Sequence, residues 1–95
     1  GDTYAGIAHE FNLKENKILN YNDLNQSREL TPGTVVYLSA KRKKASAEYQ
    51  THQIKPGENM YRIAQKYGIK LQSLYDLNQM PYDQGAVVNK VLKLR

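Results

Sequence analysis

The 95-residue chain has no cysteine and no tryptophan. Without cysteine it can form neither a disulfide nor a thiolate metal site, and the redox compartment stays open. Its two histidines, His9 and His52, show neither HxxxH nor HxH spacing, so no metal site and no cofactor are expected. The lack of tryptophan removes the strongest aromatic platform. No apolar run is long enough to cross a bilayer, and the N-terminus carries no basic-then-apolar leader. No Ser-His-Asp or Cys-His set is recognisable, so no catalytic residue is assigned. What is present is ordinary: 40% hydrophobic and 24% charged residues, a globular composition sufficient for one compact domain or two very small ones. The net charge of +5 biases the chain toward an anionic partner.

The informative feature is an internal repeat. At an offset of 56 residues, Gly1 falls on Gly57, Ile7 on Ile63, Ala8 on Ala64, Lys14 on Lys70, Asn22 on Asn78, Val35 on Val91 and Leu38 on Leu94. These are seven identities without a gap, where composition alone gives roughly two. The near-matches say more. Phe11 pairs with Tyr67, Leu13 with Ile69, Ile18 with Leu74 and Leu24 with Met80. Asn12 pairs with Gly68, and Gly33 with Asn89. Glycine and asparagine most readily take positive φ, so each copy is expected to hold two left-handed sites, one after its first helix and one before its last strand.

The second copy reads as a complete unit. Residues 49–54 alternate and end in Lys55-Pro56-Gly57, a strand running into a turn. Asn59 caps a helix with apolar Met60, Ile63, Ala64 and Tyr67, and Gly68 ends it. A second helix carries Leu71, Leu74, Tyr75 and Asn78, followed by a loop at 80–85 and a closing strand at 90–94. The order is βααβ, an α+β module with an antiparallel strand pair and both helices on one face. The first copy repeats this from its Thr3 cap through helices at 4–11 and 15–22 to a strand at 35–38, but lacks its first strand. The chain is therefore expected to begin inside a module, with an exposed edge at 35–38 open to strand exchange. The resulting division is 1–39 for module one, 40–48 for a basic linker with four cations in a row, and 49–95 for module two.

The run from Lys55-Pro56-Gly57-Glu58-Asn59-Met60 through Ile63-Ala64, Tyr67-Gly68-Ile69, Leu74 and Asn78 resembles the lysin-motif (LysM) signature. Gly1-Asp2-Thr3-Tyr4 with Ile7-Ala8, Phe11, Asn22 and Leu24 resembles it again. Asn59 stands where the signature has Thr, Glu58 where it has Asp, and Asn89 where it has Gly. The resemblance implies a non-catalytic module that binds peptidoglycan or a chitin-like glycan, in a groove between the loop before the first helix and the loop after the second. Carried over, the ligand-binding residues are Gly57, Glu58, Asn59, Met60, Met80, Pro81, Tyr82, Asp83 and Gln84. In the first copy they are Gly1, Asp2, Thr3, Tyr4, Leu24, Asn25, Gln26, Ser27 and Arg28. The pair with its basic linker is also similar to the C-terminal pair on secreted bacterial glucosaminidases, which implies an extracytoplasmic setting and a larger cell-wall hydrolase.

Three other readings compete. Ala64, Gly68 and Leu74 have helix-turn-helix spacing, and the basic charge suits DNA. However, strands flank each helix pair where a third helix is needed, and Gln72, Ser73 and Asp76 are poor phosphate contacts, so no nucleic acid is expected. Glycoside hydrolysis needs two carboxylates across a cleft. Asp23, Asp76 and Asp83 are available, but modules this small form no deep cleft. The third reading is a protein-interaction module whose groove has lost sugar binding. Asn22 and Asn78 are expected to hydrogen-bond the following loop, Asp2 and Glu58 to sit favourably at helix N-termini, and His9 and His52 to lie at the surface.

Overall fold

The computed structural model describes residues 3–95; Gly1 and Asp2, two expected groove residues, lie outside the described residues. The chain divides into two compact units, Gly1–Lys41 and Arg42–Arg95. The first holds helices α1 (Tyr4–Glu10) and α2 (Glu15–Tyr21). The second holds β1 (Thr51–Gln53), α3 (Met60–Tyr67), α4 (Leu71–Leu77) and β2 (Val91–Lys93), so the βααβ order holds there. β1 and β2 are antiparallel, with Thr51 opposite Lys93, His52 opposite Leu92 and Gln53 opposite Val91.

Helices this short are not stable alone; packing and caps hold them. Thr3 Oγ1 accepts from Gly6 N at 3.0 Å, and at the matched position Asn59 Oδ1 accepts from Arg62 N at 2.8 Å. Asparagine thus replaces threonine here as an N-cap without losing the bond. Lys14 and Lys70 flank the second helix of each unit without a side-chain cap. All four helices end in the same way, with a left-handed residue and a backbone bond reaching back five positions. Leu13 N donates to Ala8 O at 2.7 Å, Leu24 N to Leu19 O at 2.9 Å, Ile69 N to Ala64 O at 3.0 Å and Met80 N to Tyr75 O at 3.0 Å.

The expected left-handed sites are present at Asn12 (φ 57°) and Gly68 (φ 69°), and at Gly33 (φ 85°) and Asn89 (φ 74°). A third matched pair, Asp23 (φ 57°) and Gln79 (φ 53°), was not visible in the letters, because neither residue signals positive φ as strongly as Gly or Asn.

Asn22 and Asn78 act as matched clamps. Asn22 Nδ2 donates to Ile18 O (2.8 Å) and Tyr37 O (2.9 Å), while its Oδ1 accepts from Tyr37 N (2.8 Å). Asn78 makes the same three bonds to Leu74 O, Lys93 O and Lys93 N at 2.9, 2.9 and 2.7 Å. Both tie the end of the second helix to the closing segment, not to the adjacent loop as expected. The physical reason is reach: an amide side chain can replace one full backbone rung there.

The cores differ in size. The second unit buries Ile54, Met60, Ile63, Ile69, Leu74, Leu92 and Leu94 among others. The first buries Tyr4, Ala8, Ile18 and Leu19, with Ile7, Leu13, Leu24, Leu30 and Val36 packed against them. Residues 35–38 do not form the expected strand, since no partner strand among the described residues supplies a ladder; Val35 stays 53% exposed. Beside them runs an open groove of about 590 Å³ whose lining includes Ile7, Phe11, Leu30, Pro32, Val36 and Leu38. The matched bed in the second unit is covered by β1 and Ile54, with Ile54 N donating to Lys90 O at 2.9 Å and Leu94 N to Gln50 O at 3.0 Å.

Candidate functional site

In the first unit the two expected groove loops meet. Ala5 N at the start of α1 donates to Ser27 Oγ at 3.2 Å, and Thr3 pairs with Glu29 in an isolated antiparallel bridge. The N-terminal turn of α1 therefore lies directly beside the segment after α2. Thr3 and Ser27 are half-buried, Asn25, Gln26 and Arg28 are exposed and Leu24 packs on the core. Tyr4 is buried in the core, so only its backbone can face a ligand.

In the second unit, Gly57 takes φ 87° in the turn before α3, a conformation that excludes most side chains. Met60 and Met80 belong to the buried core and offer backbone alone. Glu58 Oε1 accepts from Lys55 N at 2.7 Å and meets His52 Nε2 at 2.8 Å. Those contacts, the Lys55 N–H first and His52 next, hold its carboxyl below the ordinary 4.5. The side chain thus closes the turn. Asn59 is exposed, with its Oδ1 spent as the cap. In the loop after α4, Gln84 N donates to Pro81 O at 3.0 Å, and the Tyr75 hydroxyl donates to Gln84 O at 3.0 Å. Tyr82 lies 5.2 Å from the Tyr75 ring yet is 50% exposed; it packs on a neighbour and still offers a face. Asp83 and Pro81 are exposed.

His52, expected at the surface, is buried. It sits opposite Leu92 on the inward face of β1, with Nδ1 2.7 Å from the Tyr67 hydroxyl and Nε2 on Glu58. Both ring nitrogens thus have a hydrogen-bond partner. His9 is exposed. Among the described residues no group of three metal-ligating side chains exists, and no helix is long and apolar enough to cross a membrane.

The LysM domain family matches residues 1–39 and again 52–95. The chain belongs to the LysM family. LysM domains are binding modules, not catalytic ones, and in general bind peptidoglycan and N-acetylglucosamine polymers. The two LysM copies share one register, with matched N-caps at Thr3 and Asn59 and matched left-handed residues at Gly33 and Asn89. The crystal structure of the Bacillus cereus spore cortex-lytic enzyme SleL is similar over 100% of this chain, at 24% identity and a TM-score of 0.46. The tandem LysM chain spans only 20% of that protein. No curated protein matches it.

The segment between the two family matches is exposed at most positions but is held at several points. Lys41 is 5% exposed and ion-paired to Asp23, with its ammonium 5.7 Å from the Tyr37 ring centre. Burial pushes its pKa down, opposed by Asp23. Arg42 then joins the second unit. Its N–H donates to Gly68 O at 3.0 Å and its carbonyl accepts from Lys70 N at 2.8 Å, a parallel bridge to Ile69. Ala45 is buried and donates to Leu94 O at 2.7 Å.

Proposed function

We propose that this chain is an extracytoplasmic glycan-binding region that anchors a larger protein, such as a cell-wall hydrolase, to peptidoglycan. The observation that carries this reading is the meeting of the α1 N-terminal turn with Ser27 and Glu29 in the first unit, within a family of glycan-binding modules. An N-acetyl sugar is uncharged and offers an amide, a methyl and hydroxyls. A shallow groove of backbone amides with a small apolar patch suits it. In the first unit the contacts fall to Thr3, Asn25, Gln26, Ser27 and Arg28, with backbone at Tyr4. In the second they fall to Gly57, Asn59, Pro81, Tyr82 and Asp83, with backbone at Met60 and Met80.

Without tryptophan, each module binds weakly, with Kd on the order of µM to mM, and two modules on one polymer gain by effective concentration. Isothermal titration with N-acetylglucosamine oligomers and with muropeptides tests this. Binding that weakens about fivefold in Tyr82→Ala is expected; negligible heat for every oligomer rejects the sugar reading.

A second reading concerns the exposed bed of Phe11, Val36 and Leu38, whose counterpart in the second unit is covered by β1. It favours strand exchange with an extended segment of β1-like pattern. A synthetic peptide spanning residues 49–55 should slow hydrogen exchange at residues 35–38. A monomer by light scattering, with those amides unprotected and unmoved by the peptide, rejects it.

A further inference from the structure

The charge of the chain is one-sided. Residues 42–95 carry ten basic side chains against four acidic, a net +6, whereas residues 1–41 carry four against five, a net −1. Within the second unit, the basic run is fixed in place at two points. Arg42 is bonded to Gly68 and Lys70 through its backbone, and Ala45 is bonded to Leu94. Arg42, Lys43 and Lys44 are therefore held between two anchors, with Lys70 beside one and Arg95 following the other. Arg42, Lys43, Lys44 and Lys70 are all exposed. A pinned backbone lowers the entropy that a flexible run must lose on binding.

The position is equally specific. The anchor at Gly68 lies at the C-terminal end of α3, and the groove turn lies at its N-terminal end. Eight residues of helix separate them by about 12 Å. The acidic side chains Glu58 and Asp83 stand at the groove.

We propose that this pinned basic strap is a second binding surface, for the free carboxylates of the peptide stems that peptidoglycan carries and chitin does not. This rests on the glycan reading above and narrows it: the polymer is anionic peptidoglycan, with sugar in the groove and stem on the strap. A stem of four or five residues reaches about 15 Å when extended, enough to span the helix.

The test uses the full chain and its Arg42→Gln/Lys43→Gln/Lys44→Gln variant, titrated with three probes: a peptide-free N-acetylglucosamine oligomer, a muropeptide of equal sugar length, and oligo-γ-glutamate. Wild type should bind the muropeptide about tenfold more tightly than the bare oligomer in low salt. That advantage should vanish near 0.5 M salt (about one-third the low-salt screening length or less) and in the variant, which binds the bare oligomer unchanged. Oligo-γ-glutamate should bind wild type and not the variant. If neither sugar probe binds while oligo-γ-glutamate binds through the strap, the strap stands and the sugar reading falls. Equal binding of oligo-γ-glutamate to both proteins, or none to either, overturns the strap whatever the sugars do. Duplex DNA that binds through the strap more tightly than oligo-γ-glutamate overturns it in favour of a nucleic acid.

Discussion

Asn22 and Asn78 each replace a backbone rung with one side chain, and their removal leaves an N–H and two carbonyls without their partners. Asn78→Ala should cost about 2 kcal/mol, read from urea unfolding followed by tyrosine fluorescence. Asn22→Ala should cost about as much, because Asn22 makes the same three bonds. At Gln79, φ is 53°, where an L side chain crowds its own backbone. Gln79→Gly should raise stability by about 0.5–1 kcal/mol, the relief of strain exceeding the added chain entropy, visible as a higher Tm. Glu58 has its own signature. Its folded pKa lies below 4.5, so between the two values the unfolded chain binds more protons. Its contribution is therefore fully present above the unfolded value and lost as pH falls through the folded one. Acid unfolding curves of Glu58→Gln should lose that part of the pH dependence; an unchanged slope between about pH 5 and pH 3 would count against the turn-closing role. The matched residue pairs explain what the letters could and could not convey. Asn12/Gly68 and Gly33/Asn89 declared their backbone geometry because only two residue types favour it. Asp23/Gln79 adopt the same geometry, but Asp signals it only weakly and Gln not at all. His52 was misplaced because a lone histidine in an alternating strand carries no mark of the Tyr67 and Glu58 groups waiting at both of its nitrogens.

At the level of elements, period and punctuation were readable: four helices, their N-caps at Thr3 and Asn59, and the β1–β2 pairing all follow from apolar spacing and turn residues. Two things were not. Strand formation at 35–38 depends on a partner, which local pattern does not report. The strap at 42–45 depends on backbone bonds to Gly68, Lys70 and Leu94, and a run of cations contains no hint of them. Within the candidate groove, the burial of Tyr4, Met60 and Met80 was not legible, since it is a packing outcome. Because Thr3 and Asn59 each cap a short helix, Asn59→Ala should cost about 1 kcal/mol, while Asn59→Thr should be nearly neutral. Thermal unfolding of both variants distinguishes a cap from a mere surface polar group.

At the scale of the whole molecule, two units of one family carry unequal cores. The second has a sheet and an extensive buried cluster; the first has neither a sheet among its described residues nor as many buried side chains. Stability should follow that difference. Native-state hydrogen exchange is expected to show α1 and α2 opening at lower free energy than α3 and α4, with a single shared opening energy counting against independent units. Their charges are as unequal as their cores.

The strap at 42–45 also changes how the chain meets a protease. Lys41, Arg42, Lys43 and Lys44 offer four successive bonds of the kind trypsin cuts, and in a loose connector they would be severed first. A protease must draw its target into an extended, unpaired conformation. Here Lys41 is buried on Asp23 in the first unit, and Arg42 and Ala45 are tied by their backbones in the second, so the scissile bonds are expected to stay withheld until one of these holds opens. Trypsin cleavage at 41–44 is thereby expected to report the opening of these local holds.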